Sequence, residues 1–180
     1  MKNYLEGQFA EKVEGFRLPR YNELPDMGLY LEQVTRYING LICPIGCAEI
    51  TPSMVSNYVK KSVIPAPQKK QYYCEQIAYL IFLSVAKNVL SMENISLLFE
   101  IQRATYSPDI AYNYFCNELE NMLMFICGLK PSVDEIGATH SEAKTMMRSV
   151  IISASQIIFV NNCFNVVKSI KEDEENKQLL

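Results

Sequence analysis

Hydrophobic positions recur at steps of three and four through most of the chain, which is the signature of helices packed on one face. Residues 1–28 are the exception. They hold Pro19, Pro25 and three glycines without a sustained apolar period, and so predict an irregular arm with a short helix over Leu5–Glu14. From Leu29 the spacing of Leu31, Val34, Ile38, Leu41 and Ile42 predicts a helix, with Asp26 as a cap just before it and Pro44 and Gly46 ending it. Thr51-Pro52 opens a second helix: the threonine can cap it, and a proline costs nothing at the first helical position. Met54, Val55, Tyr58 and Val59 form its apolar face, while Ser53, Ser56, Asn57, Lys60 and Lys61 form the other. Pro65-Ala-Pro67 stops it. The following polar, basic stretch to Tyr73 lacks helical spacing, and Ala66–Tyr73 is predicted to be a tight two-stranded hairpin. Ile77, Leu80, Ile81, Val85 and Val89 then mark a third helix starting near Cys74. Ser91 caps a fourth, with Ile95, Leu98 and Phe99 inward.

Two elements dominate the rest. Ser107-Pro108-Asp109 starts a helix whose broad apolar face runs from Tyr112 through Phe115, Cys116, Leu119, Met122 and Leu123 to Ile126. Gly128 and Pro131 break it, and a long helix follows from about Ser141 into an acidic tail. Its nineteen residues Ser149–Val167 carry no charge. Seven of them are Ser, Gln or Asn, which argues for a central helix of a bundle or a dimer interface over a membrane span. The expected fold is all-α. A winged helix-turn-helix with a short hairpin wing would fill the N-terminal half, and a C-terminal helical bundle would follow. The division is an irregular arm over 1–28, the helix-turn-helix over 29–105, and a helical domain over 106–180 for dimerisation or an effector.

Composition narrows the chemistry. With 49% hydrophobic and 21% charged residues, 180 residues can bury a sizeable core. The first residues hold no apolar run, which argues against a secretory signal, and six cysteines then read as reduced thiols of a cytoplasmic protein. Cys43 and Cys47, three residues apart with no second pair, make a weak zinc or redox motif. The single histidine, His140, rules out a two-histidine metal centre within one chain, and leaves only a Cys–His pair with Cys116, Cys127 or Cys163 as a remote nucleophile. Phosphate-binding glycine loops are absent. Glu118 with Glu120, and Asp134 with Glu135, stand at spacings that point apart on a helix and read as solvated faces or a helix start. No enzyme, metal or cofactor is expected.

Charge is distributed unevenly. Residues 1–49, 81–130 and 131–180 each carry two more acids than bases, but the segment between them is basic. It holds Lys60, Lys61, Lys69 and Lys70, and no acid lies between Ile50 and Cys74. Lysines gathered where acids are excluded suit a polyanion, although four from one chain give modest phosphate affinity and favour a dimer.

The segment from Met54 to Ile95 resembles the DNA-binding head of the MerR family of bacterial transcription regulators. That family reads T-I-R-Y-Y-E-K-K-G-L-I-P-P-P where this chain reads Met54-Val-Ser-Asn-Tyr58-Val-Lys60-Lys61-Ser-Val-Ile-Pro65-Ala-Pro67. Lys70-Gln-Tyr72 meets the family's R-x-Y wing, Ile77-Ala-Tyr-Leu80 its D-L-A-R-L run, and Val89-Leu-Ser91-Met-Glu93-Asn-Ile95 its G-F-S-L-E-E-I segment. Ser56-Asn57 stands where the family has an arginine-tyrosine pair. The whole chain, including Leu24-Pro-Asp-Met-Gly-Leu-Tyr30, is also similar to a bacterial domain-of-unknown-function family with a MerR-like first half.

The resemblance implies a DNA-binding transcription regulator acting on double-stranded DNA as a homodimer. Helix 51–62 would enter the major groove, where Thr51 opens it and Ser53, Ser56 and Asn57 face base edges; asparagine can pair bidentately with adenine. Tyr58, Lys60 and Lys61 belong to the same helix, and Lys69, Lys70 and Tyr72 of the wing 66–73 would meet phosphates. The missing arginine and a pI near 5.3 support an alternative, a protein-interaction module whose helix-turn-helix no longer binds DNA. A small-molecule effector site in the C-terminal half would draw on Tyr112, Tyr114, Phe115, Met122, Met124 and Phe125.

Overall fold

A computed structural model describes residues 2–136 and 141–178, which leaves His140 outside the described residues. Helices dominate it: α1 (Lys2–Val13), α2 (Leu31–Ile42), α3 (Pro52–Lys60), α4 (Cys74–Ala86), α5 (Met92–Thr105), α6 (Pro108–Ile126) and α7 (Glu142–Gln178). A 3-10 turn at Tyr21–Glu23 and two strands of two residues, β1 (Leu29–Tyr30) and β2 (Gln71–Tyr72), complete the described elements.

The caps explain where several helices start. Thr51 Oγ1 accepts from Met54 N–H at 3.2 Å, and Ser91 Oγ accepts from Asn94 N–H at 3.2 Å. Ser141 Oγ accepts from Lys144 N–H at 3.2 Å at the head of α7. Two starts differ from expectation. The helix expected from Leu29 is preceded by β1, and Gln33 Oε1, not Asp26, accepts from the Tyr30 N–H. The hairpin expected within Ala66–Tyr73 is only a tight turn joined by the Gln68–Gln71 bridge. Its second strand pairs antiparallel with distant β1, Leu29 opposite Tyr72 and Tyr30 opposite Gln71. Gly28 permits that approach, since a Cβ there would stand 2.7 Å from Gln71 Cβ.

The central helix is α4, not α7. Every residue from Gln76 to Ala86 is buried, as an all-round apolar helix requires. Around it Tyr79, Phe82, Phe99 and Phe115 pack edge-on or tilted, with ring centroids 4.6–5.5 Å apart. One continuous cluster of buried hydrophobics runs from Phe9 to Ile158, so all three segments of the sequence share it.

The N-terminal segment is more ordered than an irregular arm. Phe9 and Val13 of α1 are buried, and Phe9 packs on Phe159 of α7. Beyond α1 the chain is stitched to α6: Leu18 N–H donates to Glu120 Oε1, and both Arg20 terminal nitrogens reach the Glu120 carboxylate at 2.7 Å. Glu118 and Glu120 are therefore no solvated face. Glu118 is fully buried and accepts from Arg148 Nε of α7 at 2.7 Å.

Helix α7 presents two stripes. Ala143, Met147, Ile151, Ala154, Ile158 and Asn162 are buried on one face. Met146, Val150, Ser153, Ile157, Val160, Phe164 and Val167 recur at alternating steps of four and three on another, and none of them is buried. Past Asn162 no described residue of α7 is buried, although the helix runs on for sixteen residues, about 24 Å. By length and composition alone its stretch Glu142–Glu172 is apolar enough to cross a membrane, while one face of it belongs to the core.

Candidate nucleic-acid interface

Helix α3 is a nine-residue amphipathic element seated by Val55 and Tyr58. Ser53, Ser56, Asn57 and Lys60, spaced at three and four, share its exposed face. Among the described residues none of these four side chains is engaged in a hydrogen bond or ion pair, so their polar groups are available to a partner.

The end of α3 is a Schellman motif. Val63 N–H donates to Tyr58 O and Ser62 N–H to Val59 O, both at 2.9 Å, with Ser62 in the left-handed region at φ +55°. Glycine is the usual residue there, so Ser62→Gly is expected to raise stability by about 0.5–1 kcal/mol. A urea midpoint that did not rise would contradict the strain.

The basic turn that follows is closed by two backbone hydrogen bonds between Gln68 and Gln71, each 2.9 Å. Lys69 and Lys70 occupy its tip at φ +49° and +68°. Positive φ at both central residues is what a type I′ hairpin turn demands, and Asn-Gly usually fills it. Here the strained positions carry two exposed ammonium groups instead. Lys60, Lys61, Lys69 and Lys70 are all solvent-facing to some degree, and none forms an ion pair among the described residues.

Tyr58 and Tyr72, counted among the contact residues on sequence, belong to the core. Each is 4% exposed, and burial raises both phenols above their ordinary pKa. They hold α3 and β2 in place, and the exposed candidates that remain are Thr51, Ser53, Ser56, Asn57 and the four lysines.

What orients α3 is a set of residues that sequence patterns pass over. Asn39 of α2 brackets Ile50, donating to its carbonyl and accepting its N–H at 2.9 Å each. Lys87 donates to the carbonyls of Ala48 and Glu49 at 3.1 Å. Asn162 of α7 donates to Ile45 O at 2.9 Å and accepts from Lys12 Nζ at 3.0 Å. Gly46, at φ +88°, lies so close to Asn162 that a Cβ would stand 2.3 Å from its amide nitrogen. The loop before α3 is thus held from α1, α2, α7 and the end of α4. The only sequence signal was a polar residue breaking an apolar stripe, at Asn39 and at Asn162.

The alternatives gain little from this geometry. Burial holds the Cys47 and Cys116 thiols at about 12, where neither is a nucleophile at neutral pH. The Cys–His pairing involves His140 and lies outside the described residues. No group of three or more metal-ligating side chains gathers among the described residues. Of the aromatic and methionine residues read as a pocket, Tyr112, Phe115 and Met122 are core, and of the six Tyr114 alone lines the cleft of about 360 Å³ between α5, α6 and α7.

The family described as "Domain of unknown function (DUF1836)" matches residues 19–115, a span that takes in α2 to α5 and the first turns of α6. No curated protein and no solved structure matches the chain.

Proposed function

The chain belongs to the DUF1836 family, and from that premise, which carries no activity of its own, we propose that it is a cytoplasmic DNA-binding regulator built on a MerR-like winged helix-turn-helix. Helix α3 is the reading helix and the Gln68–Gln71 turn a reduced wing. The observation that carries this is the surface from Ser53 to Lys70: side chains of Ser53, Ser56 and Asn57 facing solvent without a partner among the described residues, and four lysines with no acid among them. Asn57 and the two serines have the donors and acceptors to read base edges, and the lysines suit phosphates.

A second copy completes the reading. The α7 stripe Met146–Val167 has a 3.5-residue period, the pattern of a coiled-coil seam. An unpacked helix end of this length is marginal in water by itself. Two heads would offer eight lysines and two half-sites related by a two-fold axis.

The test is a set of duplex titrations at several salt concentrations. Lys69→Ala with Lys70→Ala is expected to weaken binding to preferred and scrambled sequences alike, lowering the log–log salt slope by about 0.9 for each phosphate no longer neutralised. Asn57→Ala is expected to cost about 1–3 kcal/mol on the preferred site and little elsewhere. Unchanged affinity in both variants at low salt would leave a protein-interaction module, the reading that the missing recognition arginine favours.

A further inference from the structure

We propose that the cleft between α5, α6 and the first turns of α7 binds a neutral planar apolar compound bearing one hydrogen-bond donor, the class of simple indoles and phenols, with Gln102 Oε1 as its acceptor. The proposal is independent of the DNA reading. The cleft encloses about 360 Å³, inside the range of roughly 300–1,000 Å³ found for small-molecule sites. The neighbouring gap toward α4 holds only about 20 Å³ and can take no more than a water.

The walls set the shape and polarity of the ligand. Ala111 and Met147 are buried beside the cleft, and Ile110 stands at its rim 56% exposed, apolar area that a ligand would cover. The rings of Tyr106 and Tyr114 supply flat walls, and ring faces and edges pack well on another ring. Tyr106 is fixed through its hydroxyl, 2.6 Å from Ser141 Oγ at the head of α7. The one charged residue among the described lining residues is Lys144, and it already has partners within the fold, the Tyr114 ring at 5.6 Å among them. A charged ligand of either sign would therefore lose hydration without gaining a free counter-charge among the described residues.

Gln102 selects for a donor. It is 4% exposed, on the inner side of α5, where it lines both the cleft and the narrow gap. Its Nε2 donates to Tyr106 O at 3.4 Å across the end of the helix, which fixes the amide and leaves Oε1 as an acceptor. That oxygen takes no hydrogen bond among the described residues. A buried carbonyl left without a donor carries an uncompensated desolvation cost, and a ligand N–H or O–H would remove it. Asn113 and Asn117 also line the cleft. Asn113, however, already accepts from Tyr21 N–H at 2.9 Å, and Asn117 is exposed, where water competes for its amide.

The probes are indole, whose ring nitrogen donates, and 1-methylindole, which cannot, titrated calorimetrically into the full chain. The expected result is one indole per chain, with 1-methylindole weaker by about tenfold or more, the loss that an unsatisfied buried acceptor brings. Gln102→Met keeps the length of the side chain and removes the amide oxygen; it is expected to lower indole to the level of 1-methylindole and to leave the latter unchanged. Asn117→Trp places a large ring on an exposed helix position at the cleft, where it fills the space without touching the core. It is expected to remove binding of both probes with the helical circular dichroism intact. Indole-5-carboxylate, a charged counterpart, is expected to bind more weakly than indole. Equal binding of indole and 1-methylindole to the native chain, the outcome if a water in the narrow gap already satisfies Oε1, would overturn the proposal. So would a preference for indole that survives Gln102→Met, or a carboxylate that binds as tightly as indole. Full binding in Asn117→Trp, or no binding of indole at millimolar concentration, would overturn it as well. None of these readouts involves DNA, so failure of the regulator reading would leave them standing.

Discussion

Replacing Arg148 with methionine is expected to cost about 3–5 kcal/mol of stability at pH 7. Glu118 sits on the inner face of α6, fully buried, and Arg148 from α7 is its ion-pair partner at 2.7 Å. The second carboxylate oxygen, Oε2, is buried with no hydrogen bond among the described residues. Removing the guanidinium would therefore strand a charge where α6 meets α7, and desolvation without compensation is among the largest single penalties a core can carry. Methionine keeps much of the length of the side chain, so reduced packing contributes little. The control is the double variant Glu118→Leu with Arg148→Met. An apolar pair of similar volume is expected to recover most of the loss, because the pair itself repays little beyond its own desolvation. Urea midpoints of the two variants at one protein concentration decide the matter. A loss under about 1 kcal/mol in the single variant would mean that Glu118 does not depend on Arg148.

Placing glutamates at Val160 and Phe164 is expected to have the largest effect on assembly. These residues are 45% and 60% exposed, in the middle of the seam proposed for self-association. Carboxylates facing their copies across such a seam would be desolvated and mutually repelled, and both effects oppose pairing. Light scattering should then return 20.6 kDa where the native chain returns twice that. Affinity for a two-half-site duplex should fall by about 10²-fold or more, because linked heads gain by effective concentration and separate ones do not. Affinity for a single half-site should barely change. A native chain that is already monomeric at micromolar concentration would remove the seam from the proposal.

Much of this architecture was legible because local rules and tertiary packing agree. The Thr51-Pro52 and Ser107-Pro108 starts, the Ser91 cap and the apolar spacing of α4, α5 and α6 each state locally what the fold then uses. What was illegible depends on distant partners. Strand β1 is two residues long and exists only because β2 comes back to it from about forty residues away. Nothing in Glu118 or Glu120 announces that Arg148 and Arg20 will meet them. Tyr58 and Tyr72 were ambiguous for another reason: a tyrosine on an amphipathic element serves equally as core ring or polar contact, and only burial decides. The lysines and Asn57 were legible as candidates because charge and polarity on the outer face of a helix need no partner to be visible. The loop that aims them was not, since its anchors Asn39, Lys87 and Asn162 act through backbone carbonyls that sequence patterns do not mark.

The shared core also constrains how one end of this protein could inform the other. With one hydrophobic cluster from Phe9 to Ile158 there is no slack joint about which a head could swing, so a hinge is the wrong mechanical picture. The alternative is shear, the small sliding of packed helices over each other. Helix α7 would be the element to carry it: Lys144 lies in its first turn, and Asn162, eighteen residues on, holds the carbonyl of Ile45 ahead of α3. Those two positions stand about 27 Å apart along a rod that barely compresses. An axial slip at the first would arrive at the second almost undiminished, and Gly46 leaves Asn162 no spare room to absorb it.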